Sequence, residues 1–313
     1  MKLALAGDTM LGRMVAERLE SDPPQALIAR ELVEIACEAD VCVLNLECCI
    51  SRRGAPFPGR VFHFRAPPVA VEVLAHLGVD CVTLANNHAL DFGPDALVDT
   101  LHYLNAAGIA CVGAGADLDA ARAPVVLEKD GFRLGVVGVT DHPYEYAAAA
   151  DRPGVAFADL ARGGVPDWLA ATIDELAADA VLVCAHWGPN MQPEPVGHVR
   201  AAARELLATG ATLIAGHSAH VFHGVAPHVL YDLGDFLDDY AVDRKLRNDL
   251  GLLFLVDLRG DRLEAIPLKL EYTHTRLADG DDATWIRRRF VDACAAFGVE
   301  AAVEDDRLVT TWR

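Results

Sequence analysis

The feature that most constrains this chain is an alternation of two kinds of segment. Short, continuously apolar runs rich in β-branched residues are followed by amphipathic stretches, and the pattern repeats along most of the sequence. A run that is apolar at every position suits a strand covered on both faces, whereas apolar residues at three- and four-residue spacing suit a helix packed on one face. Strands are expected at 2–6, 41–46, 81–84, 110–112, 125–127, 134–139, 180–184, 212–215, 228–233, 252–258 and 263–270. Helices are expected at 10–20, 26–39, 69–77, 95–107, 166–178, 199–209 and 283–297. Gly108 and Gly210 sit where a glycine commonly ends a helix. The alternation implies an α/β layered fold. After residue 180 the strands follow one another more directly, so the C-terminal third should be more antiparallel. Segment 144–164, with an alanine run, glycines and prolines, reads as a surface loop or lid.

The polar residues fall at the ends of the apolar runs. Asp8 closes the first, Glu47 the second, and Asn86, Asn87 and His88 the third; His186 closes a later run, and His217 and His220 close the next. In α/β sheets, ligands gather outside the carboxyl ends of parallel strands. If these strands are parallel neighbours, Asp8, Glu47, Asn87, His88, His186, His217 and His220 converge on one edge. Taken singly, Asp8 reads as a helix cap, Asn87 as a turn residue and His186 as a core histidine. Placed together at successive strand ends, they read as a metal site. Two carboxylates, an amide oxygen and several imidazoles suit Mn, Fe, Zn or Ni better than an all-oxygen calcium site. A carboxylate bridging two ions would clamp a reacting group and acidify a bound water. No thiols stand at zinc-finger spacing.

The bulk properties narrow the partners. The chain has 313 residues, 52% of them hydrophobic and 23% charged, which suits a globular protein with a substantial core. With 46 acidic against 27 basic residues and a formal charge of -19, nucleic acid and anionic membranes are poor partners. A small anionic substrate stays compatible, because a bound metal can reverse the local field. No segment approaches the roughly 18 unbroken apolar residues of a membrane span. The N-terminal apolar run is too short for a signal-peptide core. Both observations lead to the expectation of a cytoplasmic protein. The eight cysteines form no C-x-x-C pair and lie mostly in apolar runs, as buried reduced thiols do.

Six ordered motifs resemble those of one family: Gly-Asp-Thr-Met-Leu-Gly-Arg from Gly7, Asn-Leu-Glu ending at Glu47, Ala-Asn-Asn-His ending at His88 with Asp91 and Gly93, His-Trp-Gly from His186, Gly-His-Ser-Ala-His-Val from Gly216, and Tyr-Asp-Leu-Gly-Asp-Phe from Tyr231. Over roughly residues 2–239 the chain resembles the CapA family of bacterial poly-γ-glutamate capsule-synthesis proteins, within the calcineurin-like metallophosphoesterase superfamily. The resemblance implies a four-layer αββα sandwich of two mixed sheets flanked by helices. That domain should span residues 1–271, with 272–313 packing on it as a C-terminal extension. The resemblance also implies two divalent transition-metal ions (Mn, Fe or Zn). Asp8 and His220 would serve the first, Asn87, His186 and His217 the second, and Glu47 would bridge both. His88 would be the general acid, in a catalytic set with Arg13 and Asp91. Asn45, Asn86 and Arg13 would bind substrate, with Arg13 meeting a phosphoryl oxygen. Three positions depart from the pattern. Met10 stands where the superfamily has a histidine ligand, Ser218 and Ala219 replace bulkier residues, and Asp235 replaces an asparagine and either joins the metal shell or caps a turn.

The leading functional expectation is a metal-dependent phosphatase or phosphodiesterase acting on a small phosphorylated metabolite. One alternative is an accessory or binding component of poly-γ-glutamate or envelope assembly, which the missing ligand at Met10 favours. Another is metal-dependent hydrolysis of an amide bond, with poly-γ-glutamate as the concrete substrate.

Overall fold

The computed structural model describes every residue except Gly163 and Arg313. Two mixed sheets stack face to face with helices outside each. The larger sheet runs in the order Ala301–Glu304, Arg307–Thr311, Arg262–Glu271, Leu250–Asp257, Lys2–Thr9, Val41–Leu46, Cys81–Thr83, Ala110–Val112. Its last four strands are parallel to one another, while Lys2–Thr9 meets Leu250–Asp257 antiparallel. The smaller sheet runs Val225–Ala226, Val229–Leu230, Leu213–His217, Ala180–His186, Phe132–Thr140, Val125–Lys129. Its centre, from Val229–Leu230 to Phe132–Thr140, is parallel.

The two-residue period of a strand explains the layering. Along the first strand Leu3 and Leu5 face the core between the sheets, joined by Val43, Val136, Leu182 and Phe254. Ala4 and Ala6 face the other way, into a core shared with Leu32, Leu74 and Leu97 of the helices Arg30–Ala36, Val71–Leu77 and Pro94–Ala106. The smaller sheet repeats the scheme: Val137, Val139 and Val183 face outward onto Leu169, Val199 and Leu206 of the helices Asp167–Asp174 and Gly197–Ala208. Each fully buried side chain of this size contributes roughly 1.5–3 kcal/mol. The arrangement is the four-layer αββα sandwich expected from the sequence.

Residues 272–312 continue the larger sheet. Strand His274–Leu277 pairs with one end of Arg262–Glu271, and a hairpin of Ala301–Glu304 and Arg307–Thr311 adds to the other end of the same edge, opposite Leu250–Asp257. Helix Gly280–Ala295 contributes Ile286, Phe290 and Cys294 to the inter-sheet core. Among its described residues, the segment 144–164 is only in part the surface loop or lid expected. Tyr146, Val155, Ala156 and Leu160 are buried, and Gly154–Val155 pairs with Ala114–Gly115. Among the described residues no helix is long and apolar enough to cross a membrane.

Candidate metal centre

The parallel register carries the strand ends to one edge. Asp8 pairs with Asn45 across adjacent strands, and His186 pairs with His217 in the other sheet. Two glycines permit the approach. A Cβ on Gly7 would stand 1.9 Å from the Gly234 carbonyl oxygen, and one on Gly216 would stand 1.9 Å from that of Tyr231. Each precedes a site residue, so the close packing of backbone on backbone is what sets Asp8 and His217 in place.

Asp8, Glu47, His220 and Asp235 form one cluster, with one ligand atom of each lying within 4.8 Å of the others, and all four are buried. His220 Nδ1 is 2.8 Å from Asp235 Oδ1, 3.5 Å from Asp8 Oδ2 and 3.8 Å from Glu47 Oε2. The expected first-ion residues Asp8 and His220 and the expected bridge Glu47 therefore meet, and Asp235 joins them. His217 and His186 are adjacent but outside this cluster. His217 Nδ1 lies 2.9 Å from Asp8 Oδ1, and His186 Nδ1 lies 3.4 Å from Asn45 Nδ2. Asn45 also donates to Asp8 Oδ1 at 2.8 Å, and Asn86 donates to Asn45 Oδ1 at 2.9 Å. Both asparagines are buried and bonded to the framework. Ser218 and His220 have positive φ, 108° and 59°, so the loop carrying His220 is held in a conformation that non-glycine residues rarely adopt.

Among the described residues, the buried acceptor atoms at this edge with no hydrogen-bond partner include Glu47 Oε1, Asp235 Oδ2, Asp238 Oδ2, His186 Nε2 and Asn87 Oδ1. Buried polar atoms are normally satisfied, and leaving one bare costs about 1–3 kcal/mol. Oxygens and imidazole nitrogens left bare together fit a cation better than any other occupant.

The electrostatics agree. Burial pushes Glu47 well above the usual carboxylate range, and the nearby Asp8 charge adds to the effect. Burial raises Asp235 likewise, helped by Asp238 and Asp8. Burial works against a charge on Asp8 too, but the hydrogen bond from His217 and the surrounding imidazoles hold its carboxyl below the usual range. Burial opposes a proton on His220, yet Glu47 and Asp8 outweigh it and raise its pKa. His186 is pushed well down by burial, which leaves a neutral imidazole, the form that binds metal.

His88 stands beside the cluster in a cleft of about 310 Å³ that Arg13, Phe64, Met191, His220 and Tyr240 also line. His88 Nδ1 is 2.6 Å from Asp91 Oδ2. Asp91 is fully buried, and its carboxylate also accepts from the Phe64 amide at 2.7 Å and the Tyr146 hydroxyl at 2.9 Å. Phe64 stacks on the His88 ring at 4.0 Å between centroids. Burial lowers the His88 pKa despite Asp91. Arg13 also lines the cleft, but its charge is engaged: NH2 lies 2.8 Å from Asp239 Oδ1 and Nε 3.2 Å from Oδ2. A larger groove of about 570 Å³ lies under the C-terminal helix, among Leu277, Arg287 and Arg307, and contains none of the site residues.

Several contributors escaped the sequence reading. Tyr240 donates to Glu47 Oε2 at 3.3 Å, and Tyr146 braces Asp91. His142, whose ring centroid is 5.2 Å from that of His186, is hydrogen-bonded to Asp141, which lies 3.3 Å from His198 Nε2. Of these, the Tyr240 signal was available, since Tyr240 closely follows the last family motif.

Residues 2–240 match the bacterial capsule synthesis protein family PGA_cap. A probable polyglutamine synthesis accessory protein of Mycobacterium tuberculosis is 33% identical over 292 residues, covering 86% of this chain and 76% of that protein. The PGA biosynthesis protein CapA of Bacillus subtilis is 28% identical, covering 85% and 71%. The capsule biosynthesis protein CapA of Bacillus anthracis is 26% identical, covering 86% and 67%. A calcineurin-like phosphoesterase of Bacillus subtilis superposes over 95% of this chain and 98% of its own with a TM-score of 0.46 at 13% identity. These relatives overturn the expected phosphatase or phosphodiesterase of a small phosphorylated metabolite: they are named for capsule and polymer synthesis. Strand-end ligands report that a metal can be held and say little about which bond it acts on. The chain belongs to the bacterial capsule synthesis protein family PGA_cap.

Proposed function

We propose that this chain is an accessory protein of bacterial poly-γ-glutamate capsule synthesis and that its role depends on a divalent-metal centre at the sheet edge. The observation that carries the reading is the buried set of Asp8, Glu47, His220 and Asp235, with Glu47 Oε1 and Asp235 Oδ2 unpartnered, in a chain of the capsule synthesis family. These four residues would hold one ion. Asn87 Oδ1 and His186 Nε2 would serve a second. Three carboxylates with an imidazole suit Mn or Fe. A bound ion of this kind polarises a carbonyl and acidifies water. Asp235 supplies the ligand that Met10 withholds. The eight free cysteines, six of them buried, support a reducing compartment and hence the cytoplasm.

The His88–Asp91 pair favours hydrolysis of the polymer's amide bond at this centre, as trimming or release during synthesis. Binding alone needs no braced imidazole. Asp91 holds Nδ1, which leaves Nε2 to take a proton from the attacking water and pass it to the departing amine, while the hydroxyl of that water completes the new carboxyl group.

The test is genetic and chemical together. In a producing strain that lacks this chain, wild type should restore poly-γ-glutamate of normal length, and Glu47→Gln should not. Full restoration by Glu47→Gln would separate the centre from the function. Restoration by His88→Ala would leave the accessory role and remove the hydrolytic one.

A further inference from the structure

The guanidinium beside the centre that is available to a ligand is Arg60 rather than Arg13. Arg13 is neutralised by the buried Asp239. Arg60 has no carboxylate partner among the described residues. Its NH2 donates to the Asn87 carbonyl at 2.9 Å, its Nε reaches the Tyr146 hydroxyl at 3.4 Å, and its Cζ lies 4.8 Å from the centroid of the Tyr146 ring. These contacts fix the side chain without cancelling its charge. Tyr146 is in turn bonded to Asp91, and Asp91 to His88, so Arg60 is tied to both Asn87 and the His88 brace. With 46 acidic residues against 27 Lys and Arg, acids are abundant in this chain. Two nearby arginines are engaged differently: Arg53 pairs with Asp99, and Arg65 lies over Phe92. Arg60 is half-buried, with its guanidinium held against the Asn87 carbonyl and the Tyr146 hydroxyl.

We infer that Arg60 is the specificity-determining residue of this centre and binds a carboxylate of the ligand beside the amide group presented to His88. A planar guanidinium fixed at two edges still has donors to offer, in the geometry that a carboxylate matches. The inference rests on the reading that the ligand is a γ-linked glutamate polymer, each repeat of which carries one free carboxylate next to its amide link. An amidated polymer would leave the charge of Arg60 unmatched.

The experiment measures binding of two labelled probes to the purified, Mn-loaded protein: a γ-linked glutamate oligomer, and the same oligomer with its free carboxylates converted to amides. Wild type should prefer the acid form by about tenfold, the size of one charge-assisted contact. Arg60→Gln should lose the preference while keeping the wild-type melting temperature and affinity for the amide form. Arg60→Lys should retain part of the preference. Arg53→Gln, which only breaks a surface pair with Asp99, should retain all of it. If wild type prefers the acid form and Arg60→Gln prefers it equally, Arg60 is not the reader. If Arg60→Gln weakens both probes alike, Arg60 is a brace and the inference fails. If wild type binds neither probe, the polymer reading falls and takes this inference with it.

Discussion

Two regions of the molecule treat charge in opposite ways. At the far side of the larger sheet, Arg307 bonds both Glu38 and Glu264, and Arg262 bonds Glu264 and Glu304. Each carboxylate there faces a guanidinium at the protein surface. At the other edge Asp8, Glu47 and Asp235 are buried together with no arginine or lysine among them, and oxygens of Glu47 and Asp235 are bare. The consequence appears in their protonation. The Arg307 hydrogen bond brings Glu38 down to about 2, whereas burial and Asp8 push Glu47 well up. Paired surface acids are part of the scaffold. Buried acids with imidazoles beside them and no arginine or lysine are arranged for a cation that comes from outside the chain.

The comparison can be broken in order of expected effect. The largest change should follow Glu47→Gln or Asp235→Asn, each of which removes an anionic ligand atom. Removing a residue that merely supports a ligand costs 10- to 100-fold in metal affinity, and losing a ligand should cost about 100-fold or more. Titration of Mn into the chelator-treated protein measures this, and unchanged affinity in both variants would place the ion elsewhere. Next is the His88 brace. Asp91→Asn should lower any amide-hydrolysing turnover by roughly 10- to 100-fold while metal content is unchanged, since general acid catalysis contributes about 10²–10⁴-fold. A parallel loss of metal would make Asp91 a support of the centre instead.

The pH dependence sharpens the contrast because the two regions titrate with opposite sign. Glu47 and Asp235 are raised in the folded protein, so the folded state holds protons that the unfolded state releases. Their contribution is intact below the ordinary values of 4.5 and 3.8 and is lost as pH climbs above them. Glu38 is depressed to about 2, so its contribution is present above 4.5 and lost as pH falls toward 2. Asp8, also depressed, sides with Glu38. Metal-free protein should therefore lose part of its stability as pH rises from the carboxylate range, and Glu47→Gln should flatten that loss. Mn should remove it as well, since ligation replaces the protons and its affinity should rise with pH. Melting curves across pH, with and without Mn, decide this; a metal-free protein whose stability is indifferent to Glu47→Gln would contradict the assignment. The smallest effect belongs to the paired region. Arg307→Met should cost no more than about 1 kcal/mol, as exposed ion pairs do, and leave Mn affinity unchanged.

Much of the site was legible because its residues end apolar runs. Asp8, Glu47 and His186 each stop a buried strand, and parallel register does the rest. The layers were legible from the same runs. Other parts depend on contacts far apart in sequence. Tyr146 reaches Asp91 across 55 residues, and Arg13 reaches Asp239 across 226; no local pattern announces either. Helix boundaries slipped where local chemistry overrode periodicity. The helix expected at 10–20 begins at Arg13, because Met10 and its neighbours still belong to the strand end, with the Met10 amide donating to the Leu237 carbonyl. The one expected at 26–39 is Arg30–Ala36, preceded by a short 3₁₀ turn at Pro24–Leu27. The strand Ala301–Glu304 was missed because it is an edge strand with mostly exposed side chains, so it carries no continuous apolar run.

The central claim is that this edge holds a divalent ion through Asp8, Glu47, His220 and Asp235. The most direct measurement is elemental analysis of the protein purified without chelator, side by side with Asp235→Asn and Glu47→Gln. The account predicts between one and two equivalents of transition metal in wild type and a clear loss in both variants, with folding intact. Wild-type protein that carries no metal and takes up no Mn on titration would contradict it.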